Sequence, residues 1–322
     1  MEVFLVVLQS VLVLLGIGSI GFLIVRRGII PENVLGFISR LAIDIALPCL
    51  VFASITTNFT PAKFPDWWQL PLWWVLFAVI SLVLSLVTAL ISRRATRGEF
   101  TINLFYQNGL FFPLIIITGI FGNDSPYLPQ LYIFAMIHPI MFFSTYTFFF
   151  RRFKQADEKA LQWNRIINPI LIATILAVGV QMVGFSTYLP DFIHEILRTM
   201  GAMAMPLIMI ILGGSLYLDF QQKGKFHTGE IIKFVIIKNF VFPLAVTGAL
   251  ILLRAYFTIP YAIALLFILQ SAVPPVSATP ILTERAGGNK AISTQFVFSS
   301  FILSVISIPI VFNIFTNFFP LP

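Results

Sequence analysis

Apolar positions run along this chain in stretches of about twenty, separated by short polar and charged breaks. The pattern predicts ten membrane-crossing helices, at roughly 3–25, 35–57, 69–91, 100–122, 127–150, 166–185, 195–218, 230–254, 259–283 and 291–318. About 20 apolar residues in a helix span the hydrocarbon of a bilayer. The breaks are short, and the most charged one, Arg151 to Arg165, is under twenty residues. No soluble domain fits between the runs, so any activity belongs among the helices. The first run lacks a basic flank and is too long for the core of a cleaved leader, which makes it a span.

Composition agrees with that pattern. Of 322 residues, 58% are hydrophobic and only 10% charged. Soluble domains carry about 25% charged residues to cover their surface. A cytosolic enzyme, a secreted module, a nucleic-acid binder and a disordered chain are therefore excluded. The net charge of +7 would suit nucleic acid, but its distribution points elsewhere. Fifteen of the twenty Lys and Arg residues fall in alternate loops: Arg26, Arg27, Arg93, Arg94, Arg97, Arg151, Arg152, Lys154, Lys159, Arg165, Lys223, Lys225, Lys233, Arg285 and Lys290. The opposite face holds Lys63, Arg198 and Arg254. Basic loops stay in the cytoplasm, so both termini are expected outside a plasma membrane. Trp67, Trp68, Trp73 and Trp74 open the third span, where they are expected to anchor at the outer interface. The lone Cys49 permits no intrachain disulfide and reads as packing. His138, His194 and His227 lack metal-ligand spacing. No metal and no resident cofactor are expected.

Ten spans with both termini outside divide into two inverted halves, 1–158 and 159–322, because five spans per half force the second half to insert upside down. Span two runs Ala42-Ile43-Asp44-Ile45-Ala46-Leu47-Pro48, and span seven runs Gly201-Ala202-Met203-Ala204-Met205-Pro206. Span four has Tyr106-Gln107-Asn108-Gly109 before Pro113, and span nine has Gln270-Ser271-Ala272 before Pro274-Pro275. The matches are weak, and proline is common in membrane helices.

Proline removes an amide donor and clashes with the preceding turn. Backbone freed inside a membrane must find partners or line a cavity. Broken helices at corresponding places in two halves mark a transporter's binding site. Gln107, Asn108, Gln270 and Ser271 are therefore the candidate substrate contacts, with Pro113, Pro274 and Pro275 opening the helices. The plainer reading is a pair of proline kinks. Half-helix N-termini at such a site favour an anion. Asp44 lies mid-span, where a carboxylate costs about 2.5–3.5 kcal/mol, and is expected to face the interior. Lys238, in span eight, either pairs with it or snorkels to the cytoplasm. His138, before Pro139, is either a proton relay or a helix-to-helix hydrogen bonder. These three are the candidate coupling groups, with a proton or sodium ion as the coupling ion. Glu284 and Arg285 read as an ion pair at the cytoplasmic end of span nine. Gly16-Ile17-Gly18-Ser19-Ile20-Gly21 has dinucleotide-fold spacing but no preceding strand, so close helix packing explains it better. There is no phosphate-binding loop and no nucleophile with its base, so the chain is not expected to be an enzyme.

Longer motifs bring a resemblance. Ser39-Arg40-Leu41 through Ala46-Leu47-Pro48-Cys49-Leu50-Val51-Phe52 resembles the auxin efflux carrier family. So do Pro206 with Leu212-Gly213-Gly214-Ser215-Leu216, and Ser271-Ala272-Val273-Pro274-Pro275 with Leu282-Thr283-Glu284-Arg285 and Gly288-Asn289-Lys290. Arg26-Arg27-Gly28-Ile29-Ile30, Ser304 and Ile308-Pro309 extend the match over nearly the whole chain. The resemblance implies an all-α secondary transporter of ten helices in two inverted five-helix repeats, with helices four and nine broken at prolines and crossing near the substrate. It implies a small organic anion as substrate, auxin-like or a dicarboxylate, carried by one bundle sliding along a scaffold in the manner of an elevator. The related bile acid–sodium symporters share that fold and use sodium, which is the alternative. The short loop between spans five and six points to a microbial type of member. Phe111 stands where the family usually has a small residue, so substrate identity does not carry over. The expected partners are the anion and the lipid bilayer, with a homodimer left open and no nucleic acid.

Overall fold

The computed structural model describes residues 2–146, 148–151, 169–221 and 227–321, and all regular elements among them are helices. Helix α1 (Glu2–Arg26), α2 (Glu32–Asn58) and α3 (Trp67–Ile91) are long and apolar. Then come α4 (Arg97–Phe105), α5 (Phe111–Phe121), α6 (Tyr127–Ala135), α7 (His138–Thr145) and the short α8 (Phe148–Arg151). The second half has α9 (Pro169–Met182), α10 (Asp191–Leu218) and α11 (Thr228–Arg254), α12 (Tyr261–Ala272) and α13 (Thr279–Arg285), and α14 (Lys290–Phe318). The basic residues Arg152, Lys154, Lys159, Arg165, Lys223 and Lys225, and the boundary between 158 and 159, lie outside the described residues.

Six helices, α1, α2, α3, α10, α11 and α14, are long and apolar enough to cross a bilayer. The expected spans at 100–122, 127–150 and 259–283 are instead each made of shorter pieces. Chain chemistry explains each break. Asn108-Gly109 and Pro274-Pro275 interrupt the first and last. His138-Pro139 restarts the middle one, and Gly122, at φ +83°, ends α5 in a conformation that only glycine adopts readily. The polarity is that of a protein in lipid. Phe37, Val83, Val87 and Leu90 are exposed, while Thr101, Asn103, Ser293, Ser300 and Ser304 are buried.

Two long helices carry a π-turn just before a proline: Leu41–Ala46 before Pro48, and Ile237–Val241 before Pro243. The proline ring would clash with the carbonyl four residues back, and widening that turn relieves it. The turns carry Asp44 and Lys238, with opposite outcomes. Ala42 and Ala46 fill the packed side of α2, which leaves Asp44 exposed beside Ile43 and Ile45 rather than facing the interior as expected. Lys238 is fully buried, so it neither snorkels nor meets Asp44. Glu284 also departs from expectation, pairing with Lys290 at 3.3 Å instead of Arg285.

The helices sort into two bundles. In one, α1 lies along the second half of α10, and α2 packs on α9 and α10. In the other, α3 meets α4 and α6, α11 meets α12 and α14, and α14 packs on α4, α12 and α13. Contact between the bundles runs through α1 against α5 and α14, α2 against α6, and α10 against α14. The α1–α10 seam explains the glycine spacing seen in the sequence. A Cβ on Gly21 would sit 2.3 Å from the Ile210 carbonyl oxygen, and one on Gly213 would sit 1.7 Å from that of Gly18. Both obstacles are backbone, which cannot swing aside. Gly213→Val is therefore expected to cost more than the roughly 1–3 kcal/mol of ordinary overpacking. Its readout is loss of the monodisperse peak in detergent chromatography, while Gly16→Val, with open space around Gly16, should elute as the parent does.

Candidate functional site

Helix α4 stops at Phe105 because Tyr106 turns to extended backbone, and the chain becomes helical again at Phe111. Helix α12 stops at Ala272 because Val273 is extended, and α13 starts at Thr279. The two breaks lie against each other in one antiparallel bridge between Gln107 and Pro275. The Asn108 N–H donates to the Pro274 carbonyl at 2.8 Å, and the Val276 N–H to the Tyr106 carbonyl at 3.0 Å. Each break thus supplies partners that the other lost with its helix, which buried backbone requires. Pro274 and Pro275 carry no N–H, so they add no orphan donor at the bridge.

Side chains complete the junction. Gln107 Nε2 donates to the Leu104 carbonyl at 2.9 Å, taking one of the carbonyls left open at the end of α4. Gln270 Nε2 donates across the junction to the Gly109 carbonyl at 2.5 Å. Ser271 Oγ donates to the Ile268 carbonyl at 2.9 Å. Lys238 Nζ donates to the Ser271 carbonyl at 2.9 Å and stands 4.9 Å from the centre of the Phe242 ring. A cation near the last carbonyls of a half-helix complements its dipole. Lys238 forms no ion pair with any described carboxylate. Asn108 is buried at the junction. Beside Lys238, Asn239 bonds the Ser300 carbonyl and the Ser307 hydroxyl, and Ser300 Oγ donates back to Asn239 Oδ1, fixing α11 against α14.

A cavity of about 10 Å³ adjoins the junction, lined by Trp74, Ser81, Tyr106, Gln107, His138 and Gln270 among others. That is room for about one water molecule, so the junction is closed to any organic solute in this conformation. Tyr106 Oη is held by the Met141 carbonyl at 3.2 Å and by Thr145 Oγ1, which locks the break onto α7. The His138 ring stacks near Tyr106, with centroids 6.3 Å apart, and tilts against Trp74 at 5.7 Å.

The structure therefore brings Gln107, Asn108, Gln270, Ser271, Pro274, Pro275, His138 and Lys238 together. Pro113 sits in the first turn of α5, where a missing N–H costs nothing; Asn108-Gly109 makes that break. Phe111 starts α5 and does not line the cavity. Asp44 belongs to the other bundle. Trp74 is buried against the cavity rather than at an interface, and Trp73 packs edge-on against Phe267. Tyr106, Gly109 and Ser81 were not singled out as contacts. For Ser81 the signal lies in the small and polar stripe Trp74, Ala78, Ser81, Ser85 at helical spacing along α3, all of it buried.

Comparison with known proteins gives the same class. The family model described as "Membrane transport protein" matches residues 6–312. An uncharacterized transporter of Methanocaldococcus jannaschii is 25% identical over 239 residues, covering 71% of this chain and 76% of that relative. A multi-pass helical protein whose family model spans almost its full length is a transporter and not an enzyme: the chain belongs to the membrane transport protein family of the auxin efflux carrier type.

Proposed function

We propose that the chain carries a small organic anion, a carboxylate of the auxin-like or dicarboxylate kind, by alternating access around the junction of the two broken helices. One observation carries this reading: the unwound segments meet beside a fully buried lysine and a buried asparagine. Lys238 supplies positive charge with no carboxylate paired to it among the described residues, and Asn108 supplies directed donors. The first turn of α5 adds backbone N–H groups and the positive end of its dipole. A carboxylate is the ligand that uses all three.

The two bundles support an elevator. The bundle of α3–α8 and α11–α14 holds the whole junction, and the α1, α2, α9 and α10 bundle serves as its scaffold. Sliding the first along the second opens the site, now nearly filled, to one side and then the other. The packing also supports two inverted five-span repeats. The pairing of α1 with α10 is answered by that of α9 with α2, and the pairing of α3 with α4 by that of α11 with α12. Exchanging each span with the one five places on reproduces these pairs.

Sodium coupling is the weaker reading. The Ser271 carbonyl, an oxygen that a sodium ion would need, already accepts from Lys238, and the Ser271 hydroxyl is committed to Ile268. An anion exported down a 100 mV inside-negative potential releases about 2.3 kcal/mol per charge and needs no partner ion.

The test is flux of labelled organic acids in proteoliposomes, the acids chosen by thermal shift of the purified protein. Asn108→Ala is expected to remove transport, by at least about tenfold for one lost charge-assisted hydrogen bond, with its unfolding temperature unchanged. Parental flux in this variant would refute the site. Replacing sodium by potassium should leave the parental flux unaltered.

A further inference from the structure

A far larger cleft, about 520 Å³, lies away from the junction, where the end of α11, the start of α12 and the end of α14 meet. Its walls are Arg254–Ile259, Tyr261, Phe319 and Pro320. It opens on the face that the loop charges assign to the outside.

Arg254 is the one charged residue in this lining. Its Nη1 donates to the Phe318 carbonyl at 2.8 Å, and its guanidinium carbon stands 5.4 Å from the centre of the Phe319 ring. These contacts hold the group in place yet use one of its five N–H donors. No acidic side chain lines the cleft to offset its charge. The Tyr261 hydroxyl, in the same wall, is closed off from solvent and has no hydrogen-bond partner. The surroundings are apolar and exposed: Leu252, Tyr256, Phe257 and Phe318 all present large hydrophobic area.

An exposed guanidinium at the edge of an aromatic-walled cleft suits an oxyanion, and phosphate above all, because its donor fork matches two oxygens. A free anion has no use for the apolar shelf around the mouth, whereas a lipid covers it with acyl chain. An interfacial belt of aromatic residues alone would account for Tyr256 and Phe257. It does not account for a concavity of this size around an uncompensated cation. We propose that this cleft binds the phosphodiester headgroup of an anionic phospholipid, with the phosphate on Arg254 and the chains over Leu252 and Phe318.

The test uses the full chain in neutral detergent, with bound lipid counted by native mass spectrometry and the unfolding temperature measured alongside. The probes are phosphatidylglycerol, phosphatidylcholine of the same chains, inorganic phosphate and glycerol 1-phosphate. Phosphatidylglycerol should bind tightest and raise the unfolding temperature, and Arg254→Gln should weaken it about tenfold or more, the worth of one charge-assisted contact. Arg254→Lys keeps the charge and a donor for Phe318 but not the fork, so it reads the site even if the glutamine variant fails to fold, and is expected to fall between the two. Parental lipid binding in either variant overturns the proposal. Equal binding of phosphatidylcholine overturns the requirement for net charge. An equal shift from inorganic phosphate or glycerol 1-phosphate would make the ligand a free anion and overturn the lipid.

Discussion

Gly109→Ala is expected to abolish transport in a protein that still folds. A Cβ at this position would stand 1.8 Å from Gln270 Oε1, 2.6 Å from Cδ and 2.8 Å from Nε2. All three atoms are the far end of a side chain, so Gln270 swings aside instead of the backbone. It then gives up its bond to the Gly109 carbonyl and turns into the small cavity that it already lines. Stability should fall only modestly, by about the 1 kcal/mol of one net hydrogen bond. Flux should fall about a hundredfold or more, since an ångström of misplacement at a site of this kind costs that much. A double-mutant cycle separates this cause from a general defect. Gln270→Ala removes the obstacle, so adding Gly109→Ala to it should cost little further stability, and the two changes should be strongly non-additive. Full additivity of their stability effects, or parental flux in Gly109→Ala, would show that the junction does not depend on this contact.

The parts of this protein that could be read in its sequence are those set by local chemistry. Runs of apolar residues need no tertiary partner to signal a membrane helix, because lipid itself is the partner. Pro274-Pro275 disrupts its helix by its own backbone properties, so that break was legible; in the other half the same reasoning points to Pro113, whereas Asn108-Gly109 makes the break. The α1 glycines were legible as packing, but their partner Gly213 was not. Orientation of a side chain about its helix was harder. Asp44 and Lys238 look alike in sequence, each a charge in an apolar run just before a proline. Both fall on π-turns, which shift the helical face by a fraction of a turn, and ideal helical spacing does not predict where such residues point. Asp44 emerged exposed and Lys238 buried. Trp74 misled for a related reason: tryptophan is enriched at membrane interfaces, but its place on the buried stripe with Ala78 and Ser81 outweighed that preference.

Lys238→Met is expected to leave a stable protein that cannot carry its anion. The ammonium is entirely buried, and its described partners are a carbonyl at 2.9 Å and an aromatic ring at 4.9 Å, with no carboxylate. Removing a charge from water costs several kcal/mol, which dipoles repay only in part. A residue kept for stability alone would be better served by a long apolar side chain, and such replacements are often neutral or stabilising. Methionine fills the space of the lysine stem, so the unfolding temperature of the empty variant should match or exceed that of the parent. Transport should behave in the opposite way. If the substrate carboxylate is the missing counter-ion, losing the lysine removes a desolvated charge pair, a loss of about 2–5 kcal/mol. Affinity should then drop on the order of 10²–10³-fold. The two readouts distinguish the roles. A lysine that merely braced α11 against the end of α12 would lower stability and flux together, and added substrate would still raise the unfolding temperature of the variant. A lysine that meets the anion gives a variant as stable as the parent, without flux, and indifferent to the acids that stabilise the parent.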